Sequence, residues 1–140
     1  MQTFLPFPNF RESARVLDRQ RLGKQRVESW QILTALSGAG KGWHNHPAVK
    51  MWRGYEYALT QYGIAVCDEW IARGYRDTCR EKLADAFLAL STGVGDEPRW
   101  LGDPVFHASH RANLLRKAPE WYSQFGWTED PTMPYVWPLN

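Results

Sequence analysis

Apolar positions along this chain follow a helical period almost throughout. Between residues 47 and 74, Trp52, Tyr55, Leu59, Tyr62, Val66 and Trp70 succeed one another at spacings of 3, 4, 3, 4 and 4, which draws one stripe down a helix. Pro47 suits a first helical position and Gly74 a stop, so the spacing predicts a single long core helix over 47–74. Upstream, Asn9 and Glu12 stand at capping-box spacing. They predict a helix over 10–37, with Gly23 as a candidate break, Val27, Trp30, Leu33 and Leu36 as its apolar stripe, and Gly38-Ala39-Gly40 as its end. Thr78 and Glu81 repeat the capping pattern ahead of Leu83, Phe87, Leu88 and Leu90. Asp103-Pro104 reads as an N-cap and first-turn proline opening a helix through Lys117, with a short helix over 119–125 behind it. Pro6 and Pro8 keep the first eight residues extended. Residues 91–103 read as a loop and 126–140 as an irregular tail. Nowhere does a strand-like alternation appear. The expected fold is all-α: a single compact domain, 1–140, of three long helices plus shorter ones, with an extended N-terminus and an irregular aromatic C-terminal tail.

Composition narrows the class. A chain of 140 residues that is 44% apolar has the size of one domain and enough apolar side chain for one core. Two cysteines are too few for a disulfide framework and read as reduced thiols. Cys67 looks like helix packing, and Cys79 has no histidine partner in sequence. The opening residues do not resemble a signal peptide, and no apolar run is long enough to cross a bilayer. The expectation is a cytoplasmic, nucleoid-associated monomer with no membrane contact.

Net charge is only +2, but its distribution changes the picture. Arg11, Arg15, Arg19, Arg21, Lys24 and Arg26 outweigh Glu12 and Asp18 by four charges within sixteen residues. Arg11, Arg15 and Arg19 lie four apart, a ridge of like charge on a continuous helix that calls for an external anion. Eight Trp, six Tyr and six Phe accompany these cations. Phosphates take cations and bases take flat rings, so nucleic acid fits; a solvated helix face over an aromatic core fits as well. In the tail, Trp121, Tyr122, Phe125, Trp127, Tyr135 and Trp137 offer either a stacking surface or a cover for the core. Trp121 and Phe125 read as cover, while Tyr122, Tyr135 and Trp137 stay open, with Tyr122 a candidate base contact. Histidines come in two pairs, His44 with His46 and His107 with His110. A metal site, phosphate or base contacts from His46, His110 and Arg111, and ordinary structural bonding (His46 capping its helix) all remain open.

The segment Arg-Gln-Arg-Leu-Gly-Lys-Gln-Arg-Val-Glu, residues 19–28, resembles the first-helix motif of the pyrimidine-dimer DNA glycosylases, the dimer-excising endonuclease V type. Ala-Val-Cys-Asp-Glu-Trp-Ile-Ala-Arg-Gly-Tyr (65–75) resembles the end of that superfamily's second long helix. His-Ala-Ser-His-Arg-Ala-Asn-Leu-Leu-Arg-Lys (107–117), with Trp-Tyr-Ser-Gln-Phe-Gly (121–126), resembles its third helix and aromatic C-terminal segment. Together they look like an uncharacterised actinobacterial-type branch. The resemblance implies an all-helical fold, a DNA substrate (a damaged duplex or unpaired bases), no cofactor, and an N-terminal α-amine that attacks sugar C1′ with a glutamate assisting. An α-amine ordinarily titrates near 8, which leaves a nucleophilic fraction at neutral pH.

Carried onto this chain, the catalytic set is Met1, Glu28 and Arg26. The nucleic-acid contacts are Arg19, Arg21, Lys24, His46, His110, Arg111, Lys117 and Tyr122; no metal ligand is assigned. Two positions depart from the pattern. Residue 2 is Gln, where the family exposes a threonine amine. Alignment on Leu22-Gly23 sets Val27 at the glutamate's position, so Glu28 arrives there only by a one-residue shift, about 100° of helix rotation. Three functions follow: a damaged-DNA glycosylase and abasic-site lyase, a non-enzymatic nucleic-acid-binding module on the same fold, or a histidine-dependent, metal-assisted enzyme acting on a nucleotide-like small molecule.

Overall fold

A computed structural model describes residues 1–38, 44–90 and 95–138. The described elements are α1 (Phe10–Val16), α2 (Arg19–Leu36), α3 (Pro47–Trp52), α4 (Glu56–Ala72), α5 (Cys79–Leu90), α6 (Pro104–Lys117) and α7 (Pro119–Tyr122), followed by a 3-10 turn at Ser123–Phe125. No strand occurs among the described residues, and the all-α expectation holds. The long helices are α2, α4 and α6. Helix α4 packs chiefly against α1, α2 and α5, burying Leu22, Ile32, Leu59, Tyr62, Val66 and Leu83 between them.

Two expected helices are each divided. The first breaks at Leu17-Asp18 rather than at Gly23: Leu17 is extended, and the Asp18 carboxylate caps α2 by accepting from the Arg21 amide. The tertiary partner that holds this break is Tyr122, whose hydroxyl accepts from the Asp18 amide at 3.0 Å. Gly23 instead sits inside α2, where a Cβ would stand 3.1 Å from the Trp70 ring. The glycine lets the indole lie on the helix backbone.

The second predicted helix breaks between Trp52 and Glu56. Arg53 is extended and Gly54 takes φ +88°, a left-handed conformation that favours glycine. A Tyr55 amide to Trp52 carbonyl bond of 2.8 Å closes the turn. Tyr55 therefore stays three residues from Trp52 in a tight turn, and the apolar stripe crosses the break without changing side. That is why periodicity alone read one helix. Gly74, with φ +95°, stops α4 as expected. The predicted stop at Gly38-Ala39-Gly40 is described only at Gly38, and the start of the 91–103 loop and the last two tail residues also lie outside the described residues.

The tail is a cover. Trp127 stacks on Tyr122 at 5.6 Å between centroids, Trp137 meets His46 edge-on, and the Trp121 indole donates to the Val16 carbonyl.

Candidate active site

The extended N-terminus is threaded between α2, α4 and α6, and its backbone is bonded at nearly every step. The Gln2 carbonyl accepts from Gln25 Nε2 at 2.6 Å, and the Thr3 hydroxyl accepts from Trp52 Nε1 at 3.0 Å. The Phe4 amide lies 3.0 Å from Gln25 Oε1 and 3.1 Å from the Tyr62 hydroxyl, to either of which it can donate. The Leu5 amide donates to His110 Nδ1 at 2.9 Å, His107 Nδ1 donates to the Leu5 carbonyl at 2.7 Å, and Arg111 donates to the Pro6 carbonyl at 2.7 Å. A buried extended segment needs these partners, because each unpaired backbone group would cost roughly 1–3 kcal/mol.

That stitching fixes where the chain's first residue lies. The Gln2 amide donates to Glu28 Oε2 at 3.1 Å, and Gln25 Nε2 reaches the same oxygen at 3.3 Å. Three covalent bonds separate the Met1 nitrogen from the Gln2 nitrogen, so by bond lengths alone the α-amine stands within about 7 Å of that carboxylate. Met1, Gln2, Phe4, Gln20, Arg21, Lys24, Glu28 and Lys117 line a cavity of about 200 Å³. A larger groove of about 710 Å³, lined by Arg19, Gly23, Val27, Gln31 and Trp70, shares Gln20, Lys24 and Glu28 with it. Among the described residues no acid lies within ion-pair distance of Arg19, Lys24 or Lys117. Partial burial and the neighbouring Arg21, Arg116 and Lys24 charges hold the Lys117 ammonium below its usual range, with Glu28 opposing them. Cations crowded together without matching acids suit a polyanion.

An amine and a carboxylate at the foot of a cationic cavity are the parts that the sequence resemblance calls for. The family model of pyrimidine dimer DNA glycosylases matches residues 1–83, the stretch carrying the N-terminal segment, α2 and Glu28. The chain belongs to this family. Comparison with curated proteins and with solved structures gave no match. Membership makes DNA the substrate class, and none of the helices described is long and apolar enough to cross a membrane.

Glu28, and not Val27, faces the N-terminal segment; Val27 is an exposed apolar residue on the groove. Arg26 does not line the cavity. Its guanidinium donates to Asp77 at 2.6 Å and lies 4.4 Å from the Trp70 ring centroid. Burial would raise the Asp77 carboxyl, but the Arg26 hydrogen bond and the Arg80 and Cys79 amides outweigh it and pull it below its usual range. Arg26 is a structural cation in this fold.

Several expected DNA contacts are likewise committed elsewhere. Arg111 grips Glu129 through two nitrogens, at 3.0 and 3.2 Å, and its third bond goes to Pro6. Tyr122 is fully buried; its hydroxyl bonds Asp18, and burial followed by that contact raises its pKa strongly. His110 is buried and accepts through Nδ1, and burial pushes its pKa down to about 3. Tyr122 and His110 offer no surface to a phosphate, and the partly exposed Arg111 has all three guanidinium nitrogens engaged within the fold. The like-charged ridge is also divided: Arg11 and Arg15 stand on α1 beside Asp68 and Glu69, away from Arg19.

His107 and His46, two of the four histidines, are engaged by the backbone. His107 uses both ring nitrogens, Nδ1 toward Leu5 and Nε2 accepting from the Gly102 amide at 2.9 Å, so it has no lone pair left for a metal. His46 caps α3 by accepting from the Ala48 amide at 3.0 Å. Burial and the N-terminal positive charge lower its pKa while Glu28 raises it, which places His46 in the electrostatic reach of the cavity. Among the described residues no three His, Cys, Asp or Glu side chains gather at metal-binding distance.

Sequence reasoning missed Gln25, which is buried and bonds Gln2, Phe4, Tyr62 and Glu28. Its one signal was position: Gln25 and Glu28 are three apart and so share a helix face.

Proposed function

We propose that this protein is a damaged-DNA glycosylase with abasic-site lyase activity, acting through the Met1 amine and Glu28. The observation that carries the reading is the Gln2 amide bonded to Glu28 at the base of a cavity walled by Arg21, Lys24 and Lys117. In the first step the amine attacks C1′ of the damaged nucleotide. The bond from C1′ to the pyrimidine nitrogen breaks, and the pyrimidine leaves with the electron pair and takes up a proton. Loss of the amine's proton and opening of the sugar leave a Schiff base at C1′. Removal of a C2′ proton then expels the 3′ phosphate and nicks the strand. Glu28 receives and returns protons in these steps, and it stabilises the cationic imine. Lys24 and Lys117 hold phosphates, Arg21 assists from its weak pairing with Asp18 at 3.3 Å, Arg19 meets the DNA farther along the groove, and His46 acts from within electrostatic reach of the amine and Glu28. The extrahelical nucleotide is the form a cavity of this kind can reach.

Gln2 and Val27, the two departures from the family pattern, favour a second reading: a module that binds damaged DNA without cutting it. Ultraviolet-irradiated duplex incubated with the protein and cyanoborohydride separates the two. A covalent adduct with strand nicking is expected. Salt-sensitive binding with neither adduct nor nick would replace the enzyme by the binding module.

A further inference from the structure

Arg19, Gly23 and Arg26 share one face of α2, one turn apart. The Trp70 indole rests on that face over Gly23, and the two arginines approach it from opposite ends. Arg26 lies 4.4 Å from the indole centroid on the C-terminal side. On the other side Tyr75 stacks on Trp70 at 4.3 Å with 29° between ring planes, and the Arg19 guanidinium hovers 5.8 Å from the Tyr75 centroid. The pile therefore runs Arg26, Trp70, Tyr75, Arg19.

Its two ends differ. The inner end is fixed, because Asp77 is buried and holds Arg26 at 2.6 Å, while Trp70 is bonded through Nε1 to the Arg76 carbonyl and packed on Gly23. The outer end is open. Tyr75 and Arg19 are exposed, and Arg19 pairs with no acid among the described residues. The groove lined by Arg19 and Trp70 runs on to Lys24 and Glu28.

We propose that the gap between Tyr75 and Arg19 receives an unpaired nucleobase of the DNA, stacked on the phenol ring and covered by the guanidinium. The inference rests on the reading of this protein as one that acts on DNA. A base between two groups needs about 3.5 Å on each face, about 7 Å in all. The present 5.8 Å opens to that by a shift of little more than 1 Å in a long exposed side chain, with the ring beneath held rigid. Stacking between an aromatic ring and an arginine plane is a recurrent way of holding bases freed from a helix. Every base has a π-face, so the site is indifferent to sequence. It is suited to whatever base loses its partner when the duplex is opened beside Glu28.

Two duplexes test this, one fully paired and one carrying a single bulged 2-aminopurine. Wild-type protein is expected to prefer the bulge and to change the fluorescence of the 2-aminopurine. Tyr75→Ala should lose about 5- to 150-fold in affinity for the bulged duplex, the range of one stacked base, with affinity for the paired duplex and the salt slope unaltered. Tyr75→Phe should keep the preference. A bulge preference that survives Tyr75→Ala, an equal loss on both duplexes, or no preference in wild type overturns the stacking site. Lys24→Ala separates the parent reading: if it weakens neither duplex and leaves the salt slope intact, the proposed DNA groove fails as well.

Discussion

The Gln2 backbone amide and the Glu28 carboxylate meet at 3.1 Å across 26 residues of sequence. One end of this contact is the extended segment that carries the α-amine, and the other is an acid on the face of α2 turned to that segment. The hydrogen bond therefore holds the start of the chain beside Glu28, which is the arrangement that the proposed chemistry uses. Gln25, one turn earlier, binds both partners and keeps them together.

Glu28→Gln should retain the contact, because an amide oxygen also accepts from Gln2, while removing the group that takes up protons. We expect cyanoborohydride trapping and strand nicking to fall by about 10²–10⁴-fold, with the thermal midpoint close to wild type. Unchanged nicking would remove Glu28 from the chemistry.

Arg26 and Lys24 lie on the same helix and should fail in different ways. Arg26→Ala leaves the buried Asp77 carboxylate without its partner, and breaking a buried pair costs about 3–5 kcal/mol. The urea midpoint should drop accordingly, while the salt dependence of DNA binding in the folded fraction stays the same. Lys24→Ala should leave the midpoint alone and reduce the slope of log affinity against log salt by about 1. The reverse pattern would exchange their roles.

Gln25→Leu removes the acceptor of the Phe4 amide and the donor to the Gln2 carbonyl. Two buried backbone groups lose this side chain, although Tyr62 still reaches Phe4, so a loss of about 2–4 kcal/mol is expected by denaturant titration. Because the N-terminal segment loosens first, nicking should decline more than global stability. Equal stability of the variant and wild type would show that the segment is held by its apolar side chains alone.

His107 and His110 make the anchoring of the N-terminus sensitive to acid. Both are held below their usual value near 6.5, mainly by burial, and His110 falls to about 3. Below pH 6.5 the unfolded chain takes up protons that the native His110 refuses. Stability is therefore full above pH 6.5 and drains as pH falls toward 3, by roughly 4–5 kcal/mol for His110 across that window. Urea midpoints measured from pH 7 to pH 4 should show this slope, and His110→Asn should flatten it. A slope identical in the variant would assign the acid sensitivity to other groups.

How far the sequence reached differs from element to element. The stripe from Trp52 to Trp70 gave the core face of α4 because burial follows period, and Asn9, Asp103 and Gly74 marked true helix boundaries because capping and left-handed turns are local chemistry. The breaks at Asp18 and Gly54 were not legible in the same way. At Gly54 the tight turn keeps the stripe in phase, and at Asp18 the hydroxyl that holds the broken end comes from Tyr122, 104 residues away.

The candidate site divides along the same line. Glu28, Lys24 and Lys117 could be named from residue type and resemblance, since an acid among unmatched cations is visible in a string of letters. Whether a given cation faces solvent or an internal acid was not visible. Arg26, Arg111 and Arg19 look alike in sequence, yet Asp77 claims the first, Glu129 claims the second, and the third stands open.

The amino-acid sequence by itself determined the helical class, the core stripe, the reserve of positive charge around α2 and the family of the chain. The first three follow from periodicity and composition, which are properties of neighbours along the chain, and the family follows from the resemblance of its motifs, borne out over residues 1–83. Only the tertiary structure decided which cations are free, which of two registers brings a carboxylate to the N-terminus, and that Trp70 and Tyr75 form a shelf beside it. Those are settled by pairings between distant residues, where a contact forms only once packing has brought both partners out of water and into reach.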